Sequence, residues 1–261
     1  MTSQQDIPSE AIQGFRVVQD ALGEAVVAAY LFGSAVAGGL RAASDVDVLV
    51  IVERGLPELV RSRLIADLLQ VSGPVGNDEG RRPLELTIVC QSDVVPWHYP
   101  PKNQLVYGEW LREEFEQGRI PAPGADPDLA IVLKKVRDNS LPLLGPTASA
   151  TLDRVPMADV RRAIKDCLPE VIEGIGGDER NALLTLARMW LTARQGVIAP
   201  KDAAAAWAMA RLDEDNGFLL DLARRGYLGH CEDSWTGKQA ELEALMATMK
   251  QAIEASLAEE S

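Results

Sequence analysis

Val26-Val-Ala-Ala-Tyr-Leu-Phe32, then Gly33-Ser34-Ala-Val-Ala-Gly-Gly-Leu-Arg-Ala-Ala-Ser44, then Asp45-Val-Asp47-Val-Leu-Val-Ile-Val52 run on without a break. The two apolar runs have the length and β-branched content of buried strands, and Gly33-Ser34 has the composition of the turn leaving the first. Residues at i and i+2 of a strand share a face, so Asp45 and Asp47 project together. Neighbouring carboxylates repel unless a cation lies between them. A hard, oxygen-ligated Mg²⁺ that keeps waters and takes further ligands from phosphates suits such a pair, and oxygen donors accept Mn²⁺ as well. A lone Asp-x-Asp is more often a solvated strand face. Here the pair opens a strongly apolar strand behind a small-residue turn, which favours the cation.

A third acid lies in Leu84-Glu85-Leu-Thr-Ile-Val-Cys90. Alternation puts Leu84, Leu86 and Ile88 on one face and Glu85 with Thr87 on the other. Glu85 is either a further metal ligand or the partner of Arg81 or Arg82.

Working outward, residues 9–24 place Ile12, Phe15, Val18 and Leu22 at helical spacing. Pro57 starts a helix carrying Leu59, Leu64, Ile65, Leu68 and Leu69, which ends near Ser72-Gly73-Pro74. A polar loop at 76–80 precedes the Glu85 strand. Residues 103–117 are expected to be helical, and Asp126 is a fair N-cap with Pro127 at the first helical position. Beyond about residue 150 no strand is expected. Helical patterns at 157–167, 178–195, 201–212, 216–225 and 238–258 alternate with breaks at 169, 174–177, 196–200, 226–229 and 237, which suggests a bundle. The segment 141–150, with two prolines and a glycine, is the expected boundary. The fold class is therefore α+β: a mixed sheet with flanking helices over 1–150, and an α-helical bundle over 151–261.

These blocks resemble the nucleotidyltransferase superfamily that includes DNA polymerase beta, whose mark is a Gly-Ser turn, a spacer and an Asp-x-Asp strand. Within it the chain is similar to the aminoglycoside (3″)(9) adenylyltransferases. The matching stretches are Leu31-Phe-Gly-Ser34, Ser44-Asp-Val-Asp47, Leu84-Glu-Leu-Thr87, Val95-Pro-Trp97, Gly108-Glu-Trp-Leu-Arg-Glu113, Gly177-Asp-Glu179, Leu184-Thr-Leu-Ala-Arg188 and Lys201-Asp-Ala-Ala-Ala205. They run in order over about residues 26 to 230.

The resemblance implies transfer of AMP from ATP to a hydroxyl of an aminocyclitol or aminoglycoside antibiotic, either the spectinomycin 9-OH or the streptomycin 3″-OH, with release of pyrophosphate. Two Mg²⁺ ions would be held by Asp45, Asp47 and Glu85, and Glu85 would also be the general base. ATP would meet Gly33, Ser34, Ser44 and Asp128, with amides after Ser34 forming an anion-binding helix start, and Arg188, Lys201 and Tyr227 from the bundle. A cleft between the two domains would hold the ligands. Trp110 and Asp178 match drug-binding positions. Their plain alternatives are a core aromatic for Trp110, a helix N-cap for Asp178, and a surface ion pair for Arg188. The chain departs from the enzymes acting on both drugs at three places: an aspartate before Gly-Asp-Glu is Gly174 beside Glu173, a tryptophan is Pro169, and a histidine is Asn181. Spectinomycin is therefore the better-supported substrate, with Glu173 as a stand-in acid.

Composition narrows the partners. Thirty-nine acids against 26 bases leave a net charge of −13, which repels nucleic acid and favours a polycationic small molecule. The N-terminus lacks the build of a signal peptide and no apolar run approaches the ~20 residues of a membrane span. A cytoplasmic monomer with no membrane or nucleic-acid partner is expected. Cys90, Cys167 and Cys231 are read as reduced thiols, and His98 and His230 as local structure. The alternatives are an adenylylating enzyme acting on a protein or tRNA end, and a non-catalytic nucleotide-binding regulator of the same fold.

Overall fold

The computed structural model describes residues 7–41, 44–74 and 80–259. The polar loop expected at 76–80 and the N-terminal hexapeptide fall largely or wholly outside these. The chain divides into two compact units, 1–155 and 156–261.

In the first unit, the strands in chain order are β1 (Val26–Phe32), β2 (Val46–Val52), β3 (Leu84–Cys90), β4 (Lys102–Asn103), β5 (Leu105–Tyr107), β6 (Gly124–Ala125) and β7 (Leu141–Leu144). The helices are α1 (Ser9–Leu22), α2 (Glu58–Val71), α3 (Arg112–Glu116), α4 (Asp128–Asp138) and α5 (Ala148–Thr151). Five strands form one sheet in the order β5-β3-β2-β1-β7, and β4 pairs with β6. Only β2 and β3 are parallel in the large sheet. A parallel pair needs a crossover, and α2 supplies it.

One face of the sheet is built from Val46, Val48, Val50, Leu84, Leu86, Ile88, Ala29 and Leu31, packed with Ala11 and Val18 of α1 and Leu64, Ile65 and Leu68 of α2. Each fully buried Leu, Ile or Val contributes about 1.5–3 kcal/mol through the water it sheds. Such a core fixes strand register, because a slip of one residue would turn every valine outward.

Several expectations need correction. In α1, Val18 is buried and Phe15 and Leu22 pack against the core, but Ile12 is 43 % exposed and Ala11 is buried in its place; in α2, Leu59 is solvent-facing at 85 %. The segment expected as a helix over 103–117 instead gives β4, β5 and the short α3. Leu105 and Tyr107 are buried on either side of Val106, a period of two, and β5 hydrogen-bonds to the free edge of β3. The side chain of Asp126 accepts from Asn103 Nδ2 at 3.0 Å rather than capping α4, whose N-cap position is Pro127. The segment 141–150, expected as a boundary, supplies β7, which closes the sheet against β1. Its prolines are compatible with an edge strand, which needs donors on one side only.

The second unit is entirely helical among its described residues: α6 (Met157–Glu173), α7 (Glu179–Gln195), α8 (Lys201–Met209), α9 (Glu214–Tyr227) and α10 (Gln239–Ala258). α7 is its centre, burying Leu183, Leu184, Leu186, Ala187 and Trp190, and Trp190 meets Trp207 of α8 edge-on at 5.3 Å. The break expected at Pro169 does not occur. α6 runs through it to Glu173, because Val160, Ala163, Ile164 and Leu168 anchor the helix while Pro169 lies on the exposed side, where water can satisfy the carbonyl freed by the missing N–H.

Candidate active site

The site begins at the end of β1. Phe32 faces Asp47 across the antiparallel β1–β2 pair, and Asp47 faces Glu85 across the parallel β2–β3 pair. The valines and leucines on either side of these acids point into the α1/α2 core, so alternation sends Phe32, Asp47 and Glu85 to the opposite face. The result is a row of three side chains on three neighbouring strands, about 4.8 Å apart from strand to strand.

Gly33 then turns the chain with φ 68°, and a β-carbon there would stand 1.8 Å from Asp47 Oδ2. Only glycine meets both demands, a left-handed backbone and room for the carboxylate. The helix start expected after Ser34 is a single 3₁₀ turn, Gly33–Ala35, in which the amides of Val36 and Ala37 bond back to Gly33 O.

Asp45 stands just ahead of β2. Ser44 before it is 4 % exposed; its Oγ accepts from the Arg41 amide at 2.9 Å and its own amide donates to Arg41 O at 3.1 Å. Arg82 fastens this turn from β3's approach, its guanidinium donating to Arg41 O at 2.6 Å and Ser44 O at 3.3 Å. Arg81 donates to Gln70 O at 2.8 Å. Both arginines are thus engaged with backbone, and among the described residues Glu85 forms no ion pair with either.

α4 contributes two charges to this neighbourhood. Asp128 opens the helix and Lys135, two turns on, holds its ammonium 5.0 Å from the centre of the Phe32 ring. Burial pushes the Glu85 carboxyl above its usual range, to about 8, with the charges of Asp47, Asp45 and Asp128 adding to the rise and that of Lys135 opposing it. Lys135 had no place among the residues picked out from sequence. The signal for it is its position seven residues after Asp128, on the same helix face.

Among the described residues, no three His, Cys, Asp or Glu side chains are placed to hold a metal ion together. Asp45 and Asp47 lie near enough for their charges to act on Glu85, without the three being drawn together as a preformed trio. The donor set still fits Mg²⁺, which takes one or two carboxylates and completes its shell with water and substrate phosphates. Burial first, and the neighbouring carboxylates second, raise the Glu85 carboxyl, so a bound cation would favour its charged form.

On the other edge of the sheet, Trp110 is 61 % exposed, which sets aside a core role. Its indole lies over Gly108, where any side chain would collide with the ring. The platform beneath is built by Glu109, whose Oε1 accepts from Tyr107 OH at 3.0 Å and whose Oε2 accepts from Arg112 Nε at 2.6 Å. Ser72 Oγ also donates to Glu109, and accepts from the Leu84 amide at 3.0 Å. Glu109 and Arg112 thus account for two of the three charges in Gly108-Glu-Trp-Leu-Arg-Glu113.

In the helical unit, Asp178 occupies the N-cap position of α7 without a side-chain cap bond. Instead it accepts from Asn181 Nδ2 at 3.0 Å, and Asn181 Oδ1 accepts from Lys201 Nζ. Three expected site residues are therefore joined in one chain. Arg188 is half-buried on α7 and pairs with no carboxylate among the described residues; Tyr227 ends α9, and Glu173 ends α6 in an exposed position. His98 and His230 are exposed, and none of the three cysteines is in a disulfide.

Residues 19–89 match the family model described as Polymerase beta, Nucleotidyltransferase, and residues 150–252 match that of Aminoglycoside adenylyltransferase, C-terminal domain. The chain is 55 % identical over 251 residues to a spectinomycin 9-adenylyltransferase of Staphylococcus aureus, covering 96 % of each chain. It is 42 % identical over 236 residues to an aminoglycoside (3'') (9) adenylyltransferase of Escherichia coli, covering 90 % of each. Among solved structures it resembles spectinomycin adenyltransferase AAD(9) from Enterococcus faecialis with ATP and spectinomycin, at a TM-score of 0.90 and 34 % identity, over 95 % of this chain and 99 % of that one.

Proposed function

The chain belongs to the aminoglycoside adenylyltransferase family, and from that premise we propose that it transfers AMP from ATP to the 9-hydroxyl of spectinomycin. The observation that carries this reading is the register-matched pair Asp47 and Glu85 set against the Gly33 turn. The spectinomycin oxygen attacks the α-phosphorus in line. A new O–P bond forms, the bond from the α-phosphorus to the β-bridging oxygen breaks, and its electron pair leaves with pyrophosphate. The hydroxyl proton passes to Glu85, the general base. Such a transfer depends on alignment and charge neutralisation more than on covalent help from the protein.

Asp45, Asp47 and Glu85 are the residues that would hold two Mg²⁺ ions. When bound, these ions neutralise charge on the attacking and departing oxygens and keep Glu85 ionised. Gly33 and Ser34 receive the phosphates through backbone and hydroxyl donors, with Ser44 and Asp128 completing the sheet-side contacts. Arg188 and Lys201 supply positive charge to the triphosphate, and Tyr227 contacts the nucleotide. Trp110 offers an indole face to the cationic drug, and Glu173, Asp178 and Asn181 are its polar contacts. The hydrogen-bonded chain Asp178–Asn181–Lys201 supports grouping these residues in one function. Gly174, Pro169 and Asn181 stand where enzymes acting on both drugs carry other residues, which favours spectinomycin over streptomycin.

The test is pyrophosphate release by the purified protein with ATP, Mg²⁺ and a panel of aminocyclitols, with mass spectrometry of the product. Spectinomycin gains one AMP on its 9-oxygen and streptomycin is unchanged. Labelling of protein or tRNA in place of drug, or ATP bound and never turned over, would replace this reading.

A further inference from the structure

We propose that Lys135 is a further catalytic residue of this transfer, its ammonium donating to a non-bridging oxygen of the α-phosphate as the bond to pyrophosphate breaks. The inference rests on the adenylyl-transfer reading above and adds a residue to it.

The geometry starts from the row Phe32–Asp47–Glu85. Phe32 is 1 % exposed, and its ring marks the β1 end of that row, one residue before the Gly33 turn. α4 covers the same face of β1, burying Leu129, Ala130, Leu133 and Val136. That packing leaves Lys135 little choice of direction. Its ammonium is held over the ring at 5.0 Å, a cation–π distance, and close enough to Glu85 for its charge to act there.

The neighbouring lysine shows what an ordinary helix cation does. Lys134 reaches Asp138 one turn on, with 2.7 Å between Nζ and Oδ2. The Lys135 ammonium makes no hydrogen bond or ion pair among the described residues, although the residue is partly buried and acids stand nearby. A ring face attracts a cation but does not occupy its N–H donors as a carboxylate would. The result is a partly buried ammonium with donors to spare, held over the ring that neighbours Asp47 in the row and near enough to Glu85 for its charge to act there. In-line transfer spreads negative charge over the equatorial phosphate oxygens, and a preplaced donor is most effective where that charge is shared. Lysine serves as a point charge for such an oxygen without demanding the paired geometry of arginine.

The experiment compares the wild type with Lys135→Gln, Lys135→Arg and Lys134→Gln in the spectinomycin-dependent pyrophosphate assay. ATP and the two diastereomers of its α-thio analogue are used, always with Mg²⁺. ATP binding and melting temperature are measured alongside. Lys135→Gln is expected to lower kcat by about 100-fold, the effect of removing one preorganised donor, while the KM for spectinomycin, ATP binding and the melting temperature stay near wild type. The wild type prefers one diastereomer, and that preference shrinks in Lys135→Gln and changes in Lys135→Arg. Lys134→Gln behaves as wild type throughout. Turnover in Lys135→Gln within about twofold of wild type overturns the proposal, as does a slowed enzyme with an unchanged diastereomer preference. Should Lys135→Gln fail to fold, the preference in Lys135→Arg decides the matter by the same criterion. A wild type that releases no pyrophosphate with spectinomycin defeats the transfer reading itself, and the assignment falls with it.

Discussion

Glu85 and Gly33 show how single residues set the chemistry. The fold half-buries Glu85 and sets other carboxylates near it, so it holds its proton up to about 8, against 4.5 for an ordinary glutamate. The sign of the linkage follows. Between those values the folded protein binds more protons at this position than the unfolded chain does, so stability declines as pH rises through the window. In metal-free protein the melting temperature should fall from the ordinary carboxylate range toward pH 8, and Glu85→Gln should remove that part of the slope. Equal slopes in the two proteins would show that Glu85 is ionised in the fold. Gly33 acts through space: a methyl group there would meet Asp47 Oδ2 in a left-handed turn. Gly33→Ala should fold, with a small loss of stability, and lose about 100-fold in kcat because the displaced carboxylate spoils alignment. Activity near wild type would mean that Asp47 can move without consequence.

Elements carry the next level of the account, and there the sequence was unevenly legible. β1, β2 and β3 could be read from apolar runs bounded by Gly, Ser and Asp, and with them the common face of Asp47 and Glu85. The parallel register that sets those two side by side depends on the α2 crossover and the core beneath it, which no local pattern encodes. β5 reads as helix in sequence because Leu105-Val-Tyr107 is too short to show its period, and only pairing with β3 makes it a strand. β7 was hidden by its proline for a similar reason. Lys135 escaped notice because a lysine on an amphipathic helix looks like a solvated residue until Phe32 appears beneath it. The platform under Trp110 is a further case, since Glu109 and Arg112 look like surface charges in sequence. In the fold the Glu109 side chain is 3 % exposed and hydrogen-bonded to Arg112. Glu109→Ala should cost about 3 kcal/mol, because it takes the acceptor from the Tyr107 and Ser72 hydroxyls and the nearest carboxylate from Arg112; urea unfolding measures it. A loss below about 1 kcal/mol would place the pair among surface ion pairs.

At the scale of the whole molecule, charge and composition bear on the choice of partner. A net charge of −13 opposes polyanions and suits a cationic antibiotic. At ~0.15 M salt the protein should not retard tRNA or duplex DNA in a gel, and retention at that salt would favour a nucleic-acid acceptor. Among the described residues no helix is long and apolar enough to cross a membrane. The first unit brings Gly33, Ser34, Ser44, Asp45, Asp47, Glu85 and Asp128 to one end of its sheet or beside it, and the second joins Asp178, Asn181 and Lys201 on its helices. All of it turns on the acids of β2 and β3. The most direct measurement is pyrophosphate release from ATP and spectinomycin by Glu85→Gln, with folding and ATP binding checked on the same sample. A folded, ATP-binding variant that releases no pyrophosphate above background is the predicted result; turnover near that of the wild type would contradict it.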